Sequence, residues 1–219
     1  MDKNTADKVK YWILVCGILN IVFYLLHDII GARAYPGYNW MAQAVSDLTA
    51  VNAPSRVIAS GLSNISGIFT CIVCTLICIY AKELWPKTSE KLLRLGVYLF
   101  VTMHWVSAVG YGLFPLTGSG YDGSVQSFIH VFVITVLVVL LSLVYSILIA
   151  VGGFKSGNKG LAWCAVASVL LMFAGAAGSG IVPREYFGIF ERFSTYSAGC
   201  FTSAIAIVVF VKFNAQADR

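Results

Sequence analysis

Charged residues are scarce in this chain: Lys, Arg, Asp and Glu make up 11% of its 219 residues, whereas 58% are hydrophobic. Soluble domains carry about 25% charged residues, so the composition is that of a polytopic membrane protein. Within lipid each span must satisfy its own backbone hydrogen bonds, which predicts helices. No basic cluster interleaved with aromatic residues occurs, so no nucleic-acid partner is expected.

Several sequence features of common sites are also missing. All six cysteines lie inside apolar runs, so no disulfide framework is predicted. Neither a metalloprotease HExxH nor a serine-hydrolase GxSxG occurs, and the glycine-rich stretch 114–127 lacks a P-loop lysine. Cys71, Cys74 and Cys78 share one helix face, but without a nearby histidine or carboxylate we interpret them as packing residues.

Six apolar runs are each long enough to cross a hydrocarbon core of about 30 Å. The predicted spans are 11–30, 57–80, 92–114, 128–151, 161–182 and 193–213. We expect an all-α integral membrane bundle of six transmembrane helices that forms a single domain over residues 1–219.

Basic residues lie unevenly on the two sides of these spans. Eleven of the 15 Lys and Arg residues fall in the N-terminal segment, the loops after spans 2 and 4, the foot of span 3 and the C-terminal segment. The other four are Arg33, Arg56, Arg184 and Arg192. Since cytoplasmic loops carry the excess of Lys and Arg, we predict a multi-pass protein of the cell membrane with both termini cytoplasmic. The opposite side is called the outer side below.

The longest polar interval between spans, 35–56, is predicted to carry a short amphipathic interfacial helix over about 39–49. Asn39 is suited to cap its start, and Met41, Ala44, Val45 and Leu48 recur at helical spacing. Tyr35, Tyr38 and Trp40 are residues typical of the headgroup level. We interpret the interval as a lid over the outer mouth of the bundle.

Polar side chains recur on the predicted spans at helical spacing, and such residues usually face the bundle interior. The candidate binding residues are Asn20, Tyr24, His27, Asp47, Asn64, His104, Ser107, Tyr111, His130, Glu191 and Arg192. Asn20 and Asn64 are favoured as hydrogen-bonding residues between helices, and the GAAGS run of span 5 as a helix-packing face.

The acidic and imidazole groups on the outer side have two interpretations. His27, His104 and His130 are suitable zinc ligands, with Asp28, Asp47 or Glu191 as candidate catalytic carboxylates. The favoured alternative is a structural ion-pair network that joins the lid to the bundle. Glu191 and Arg192 at the start of span 6 fit it, since a carboxylate is favoured near a helix N-terminus.

Three short motifs in order along the chain resemble a family. They are YPGYN…AVSDL…AP in the first outer loop, FP with a glycine-rich stretch before His130, and FGIFERFS at span 6. Together they resemble a bacterial and archaeal family of six-span proteins catalogued as a domain of unknown function (number nine-nine-eight). The resemblance implies a six-helix bundle with an outer cluster, at Pro36, Ser46, Asp47, Pro115, His130, Glu191 and Arg192. A looser likeness to the seven-helix alkaline ceramidase and progestin-receptor-like hydrolases fails on span number and on the paired histidines of the last helix.

Three functions therefore stay open on the sequence alone. The first is a bundle whose outer polar cavity binds membrane lipid, a small amphiphilic ligand or a partner protein. The second is a metal-dependent membrane hydrolase, with zinc as the possible cofactor. The third is a transporter or channel, for which His104 is the one mid-depth candidate and against which no span contains an internal proline.

Overall fold

Six long helices make up the protein in the computed structural model, which describes residues 3–118 and 120–217. They are α1 (Lys3–Arg33), α2 (Arg56–Leu84), α3 (Lys91–Leu113), α4 (Val125–Lys155), α5 (Lys159–Ile181) and α6 (Phe187–Ala217). Within the described residues, six helices are long and apolar enough to cross a membrane. The predicted all-α six-helix bundle is confirmed, and each helix covers its predicted span to within one residue.

The helices form a closed ring in chain order. Each packs against its successor, and α6 packs against α1, while α2 also touches α6 across the ring. Short 3-10 helices at Val45–Thr49, Thr88–Glu90 and Arg184–Tyr186 lie in the connections. The ring places the ends of all six helices around one outer and one inner mouth.

Helix α4 is irregular at its outer end. A single α-helical turn at Val125–Phe128 leads into a π-helical segment, Ile129–Ile134, before the regular helix begins at Thr135. The Thr135 hydroxyl donates to the His130 carbonyl at 2.9 Å and so satisfies a backbone group of the wider turn. Such π segments are rare in proteins, and those that occur often lie at functional sites.

The main apolar core occupies the inner half of the bundle. At its centre Phe100 meets Tyr145 and Phe201 edge-on, with ring centroids 5.1 and 5.6 Å apart. A second, small cluster of Val45, Leu48 and Ala59 lies under the first outer loop. The outer half of the bundle therefore depends on polar contacts and on the loop more than on a central apolar core.

The small residues of α5 form the predicted packing face. A Cβ at Gly175 would lie 2.7 Å from both the Phe190 carbonyl oxygen and the Ser194 amide nitrogen of α6. About two turns further along α5, the Ser168 and Ser197 hydroxyls are 2.8 Å apart. These contacts bring the α5 and α6 backbones together, as small residues do in lipid, where no hydrophobic force drives helices together.

The predicted interfacial helix over 39–49 is not confirmed. Residues 40–43 form turns, in which Asn39 caps the Met41 amide at 3.1 Å, and only Val45–Thr49 is helical, as a 3-10 helix. Residues of α6 form hydrogen bonds to backbone groups that would pair with each other in an α-helix. The Met41 carbonyl, for example, accepts from the Gly188 amide at 2.7 Å. The segment still buries Val45 and Leu48, and it packs against α1, α2 and α6 without being an α-helix.

Candidate functional site

A buried ion pair joins the first and last helices at the outer end. The Arg192 guanidinium on α6 donates to both carboxylate oxygens of Asp28 on α1, at 2.9 Å from Nε and 2.8 Å from Nη2. Both residues are less than a tenth exposed. The parallel two-bond geometry is the strongest form of the arginine–carboxylate contact.

The remaining donors of Arg192 hold the first outer loop. Its Nη1 donates to the carbonyl oxygens of Trp40 at 2.6 Å, Gln43 at 3.1 Å and Gly188 at 3.0 Å, and its Nη2 donates to the Tyr38 hydroxyl at 2.9 Å. All five N–H groups of the guanidinium are thus used. Arg192 fixes the loop to α1 and α6 together, and this arrangement is called the arginine clamp.

Two tyrosines complete the arginine clamp. Tyr196, one turn along α6 from Arg192, donates to Asp28 at 2.5 Å. Tyr38 donates to the Ala44 carbonyl at 2.7 Å while it accepts from Arg192. Burial raises the pKa of Tyr38 to about 12, against the opposing effect of the nearby guanidinium. The Tyr38 phenol is therefore neutral at physiological pH and retains the proton that it donates.

Glu191 directly precedes Arg192 on α6 and lies on a different face of the helix. With Thr195 and Thr202 it lies on one face of α6, and Thr202 meets the His104 ring of α3 across the bundle at 3.1 Å. That face points to the interior, yet Glu191 keeps part of its surface accessible. Its carboxylate accepts the Val45 amide at 3.2 Å, which ties a second point of the loop to α6.

Other polar groups surround Glu191. It interacts electrostatically with Tyr24 of α1, Tyr111 of α3, and the carboxylates of Asp28 and Asp47. Asp47 itself is buried in the 3-10 helix of the loop. The structure therefore brings together five of the predicted site residues with Asp28, and we call this set the outer polar cluster: Tyr24, Asp28, Asp47, Tyr111, Glu191 and Arg192.

The three histidines lie apart from one another in different contacts. His27 packs edge-on against Tyr24, and neither of its ring nitrogens meets a hydrogen-bond partner in the described part of the chain. His104 lies against Phe100 and Thr202.

His130 lies within 2.6 Å of the Phe114 carbonyl and close to the Tyr111 ring. Among the described residues no three His, Cys, Asp or Glu side chains are grouped to hold a metal ion. The predicted zinc site of His27, His104 and His130 therefore receives no support.

The two predicted asparagines differ. Asn20 accepts from the hydroxyls of Ser66 at 3.1 Å and Thr70 at 2.7 Å on α2, and donates to the Gly199 carbonyl of α6 at 3.2 Å. It is a buried link between three helices, as the sequence favoured. Asn64 instead is exposed on the outer half of α2.

The connection between α3 and α4, the second on the outer side, is held by several side-chain hydrogen bonds. Asp122 accepts from the Ser127 and Thr117 hydroxyls and from the Ser124 amide, and these donors hold the pKa of its carboxyl well below the usual range. The Pro115 carbonyl, on a residue implied by the family resemblance, accepts from Gln126 at 2.5 Å. The connection therefore caps the start of α4, where the Ser124 hydroxyl accepts from the Ser127 amide.

The two outer connections also meet each other. The Val51 amide donates to the Leu116 carbonyl at 2.8 Å, and the Asn52 amide to the Thr117 carbonyl at 3.1 Å. This backbone pairing bridges the outer ends of α2 and α3.

Sequence reasoning missed part of the clamp. It placed Tyr38 at the headgroup level and left out Tyr196 and Gly188. The spacing of Tyr196, four residues after Arg192 on one helix face, was an available signal. Gly188 lies in the FGIFERFS motif but was not singled out, and its Cβ position would meet the Trp40 and Gln43 carbonyls.

Comparison with known proteins identifies the family. Residues 16–208 match the family described as protein of unknown function (DUF998). No curated protein and no solved structure matches the chain. The matched range holds the whole outer polar cluster and covers most of the six-helix bundle. The chain belongs to the DUF998 family.

Proposed function

We propose that this protein is a membrane-embedded binding protein whose outer polar cluster lines a crevice for a small amphiphile drawn from the membrane. The observation that carries the proposal is Glu191, a carboxylate that faces the bundle interior and yet keeps accessible surface. Ionisable groups at membrane depth are costly and are retained mostly where they serve a function.

The partial exposure of the residues around Glu191 supports a crevice in the outer half of the bundle. Tyr24, Thr195, Ser107 and Tyr111 are all interior-facing and all partly exposed, although they lie inside the ring of helices. The main apolar core ends below them, at the level of the contact between His104 and Thr202. The crevice would have that contact as its floor and the clamped loop as its roof.

A binding role also accounts for the clamp. A loop that carries one face of a binding site must be held in one position, because ordering it on binding costs affinity. Glu191 accepts one amide of the loop, from Val45 through Oε2, so its Oε1 stays available for a polar headgroup. The same arrangement lends no support to a metal-dependent hydrolase, because no three metal-ligating side chains are grouped among the described residues.

The test is the lipid retained by purified protein after a delipidating wash, measured by mass spectrometry per mole of protein. We expect Glu191→Gln to lower the retention of its bound amphiphile about tenfold, since a hydrogen bond to a charged group contributes about 1.5–3 kcal/mol. The amide keeps an acceptor for the Val45 amide, so the fold persists. Glu185→Gln, at an exposed carboxylate before the same helix, is the matched control. Equal retention by all three proteins would contradict the proposal.

We further propose that the protein lies in the cell membrane with both termini on the cytoplasmic side, as the distribution of Lys and Arg supports. A C-terminal green fluorescent protein fusion is then expected to fluoresce, and an alkaline phosphatase fusion at the same point to be inactive. An active phosphatase fusion with a dark fluorescent one would reverse the orientation.

A further inference from the structure

In the outer halves of α2 and α3, the buried residues lie on the sides that pack against other helices. On α2 the buried residues of the outer half are Ala59, Ser66 and Thr70, and the latter two bond to Asn20 of α1. On α3 the one buried residue beyond Met103 is Gly110, which packs against Ile134 of α4. In its outer half, α2 thus turns its packed face to α1, and α3 turns its packed face to α4.

The faces that α2 and α3 turn toward each other are open. A Cβ at Gly67 of α2 or at Gly112 of α3 would meet nothing within 4 Å. Asn64 and Ala108 on the same sides are exposed. In the inner half the same helix sides are closed by buried residues such as Val97 and Val101.

The opening has a lower and an upper limit. Below it the Trp105 indole donates to the Thr75 hydroxyl at 3.2 Å and joins α3 to α2. Above it lies the backbone pairing of Val51 with Leu116 and of Asn52 with Thr117. We call this opening the α2–α3 cleft.

Resting on the proposed function, we infer that the ligand is an outer-leaflet phospholipid with a primary ammonium headgroup, which enters sideways through the α2–α3 cleft and leaves an acyl chain in it. A slot between two spans within the hydrocarbon layer is filled by lipid tails rather than by water. The charges near it are complementary to a zwitterion. Asp28 and Arg192 neutralise each other, which leaves the carboxylate of Glu191 inside for the ammonium group.

A positive group stands at the outer edge of the cleft for the phosphate. Arg56 begins α2, one turn before Ser60, and its side chain is exposed. Within the described residues it forms no ion pair. Arginine matches phosphate oxygens in geometry and charge, so the headgroup would lie between Arg56 and Glu191.

The test uses the full-length protein in nanodiscs that contain either phosphatidylethanolamine or phosphatidylglycerol, with the lipid retained on extraction counted by native mass spectrometry. We expect about tenfold greater retention of phosphatidylethanolamine, equivalent to about 1.4 kcal/mol. Gly67→Trp, which fills the cleft, is expected to abolish the difference. Gly61→Trp is the matched control, because Gly61 is equally unobstructed but lies on the exposed face of α2 with Ile65 and Ile68.

The outcomes separate the two proposals. If wild-type protein retains no lipid of either kind, the proposed binding function fails. If it retains lipid through Glu191 but Gly67→Trp has no effect, or phosphatidylglycerol is retained equally well, the sideways entry or the headgroup assignment is overturned while the binding function stands.

Discussion

Arg192→Met is expected to destabilise the protein by about 3–5 kcal/mol, because it leaves the buried Asp28 carboxylate without its partner. The change also removes the donors to the Trp40, Gln43 and Gly188 carbonyls, so the first outer loop loses its attachment to α6. The measurement is thermal unfolding of the detergent-solubilised protein, followed by loss of the monodisperse species. A second measurement is the rate of protease cleavage within residues 35–50, which we expect to rise.

Two further variants separate the clamp from general charge effects. Arg33→Met removes an exposed arginine at the outer end of α1 and is expected to change stability little. Adding Asp28→Leu to Arg192→Met removes the unpaired charge and should recover part of the lost stability. An Arg192→Met protein as stable as the Arg33→Met protein would show that the clamp does not hold the outer end together.

Gly175→Ala is expected to cost about 1–3 kcal/mol, the usual range for overpacking a close contact. The added methyl group would meet backbone atoms of Phe190 and the backbone and hydroxyl of Ser194, and backbone cannot move aside as a flexible side chain can. The α5 and α6 backbones must then separate, which strains the start of α6 where Glu191 and Arg192 lie. The same thermal assay measures the loss.

Gly180→Ala on the same helix is the matched control. A Cβ there meets nothing within 4 Å, and alanine is the better helix former, so stability should be unchanged or slightly higher. Equal behaviour of the two alanine variants would mean that α5 and α6 are not in the close contact described.

The helices were predictable from the sequence because the length and apolar character of each run determined them. A run such as 57–80 can only cross lipid as a helix. The outer loop was less predictable, because amphipathic spacing over 39–49 is equally satisfied by turns that bury Val45 and Leu48. The choice was made by distant groups, the Arg192 guanidinium and the Gly188 amide, which compete for the loop carbonyls.

The candidate site was predictable in its position and not in its pairing. Charge counting placed Asp28, Glu191 and Arg192 at one end of the bundle, and an ion-pair network joining lid to bundle was the favoured interpretation. Which carboxylate meets which arginine depends on helix rotation, which no single-helix pattern supplies. For the same reason three histidines in the outer half gave a plausible ligand set, whereas in the structure His27, His104 and His130 lie in three separate contacts.

The most direct test of the proposed binding site is photo-crosslinking with phosphatidylethanolamine that carries a diazirine on one acyl chain, followed by mapping of the labelled peptides. The account predicts labels concentrated on the facing sides of α2 and α3, around Gly67 and Ala108, and a loss of these labels in Gly67→Trp but not in Gly61→Trp. Labels spread evenly over the lipid-facing sides of all six helices, unaffected by either tryptophan, would contradict it.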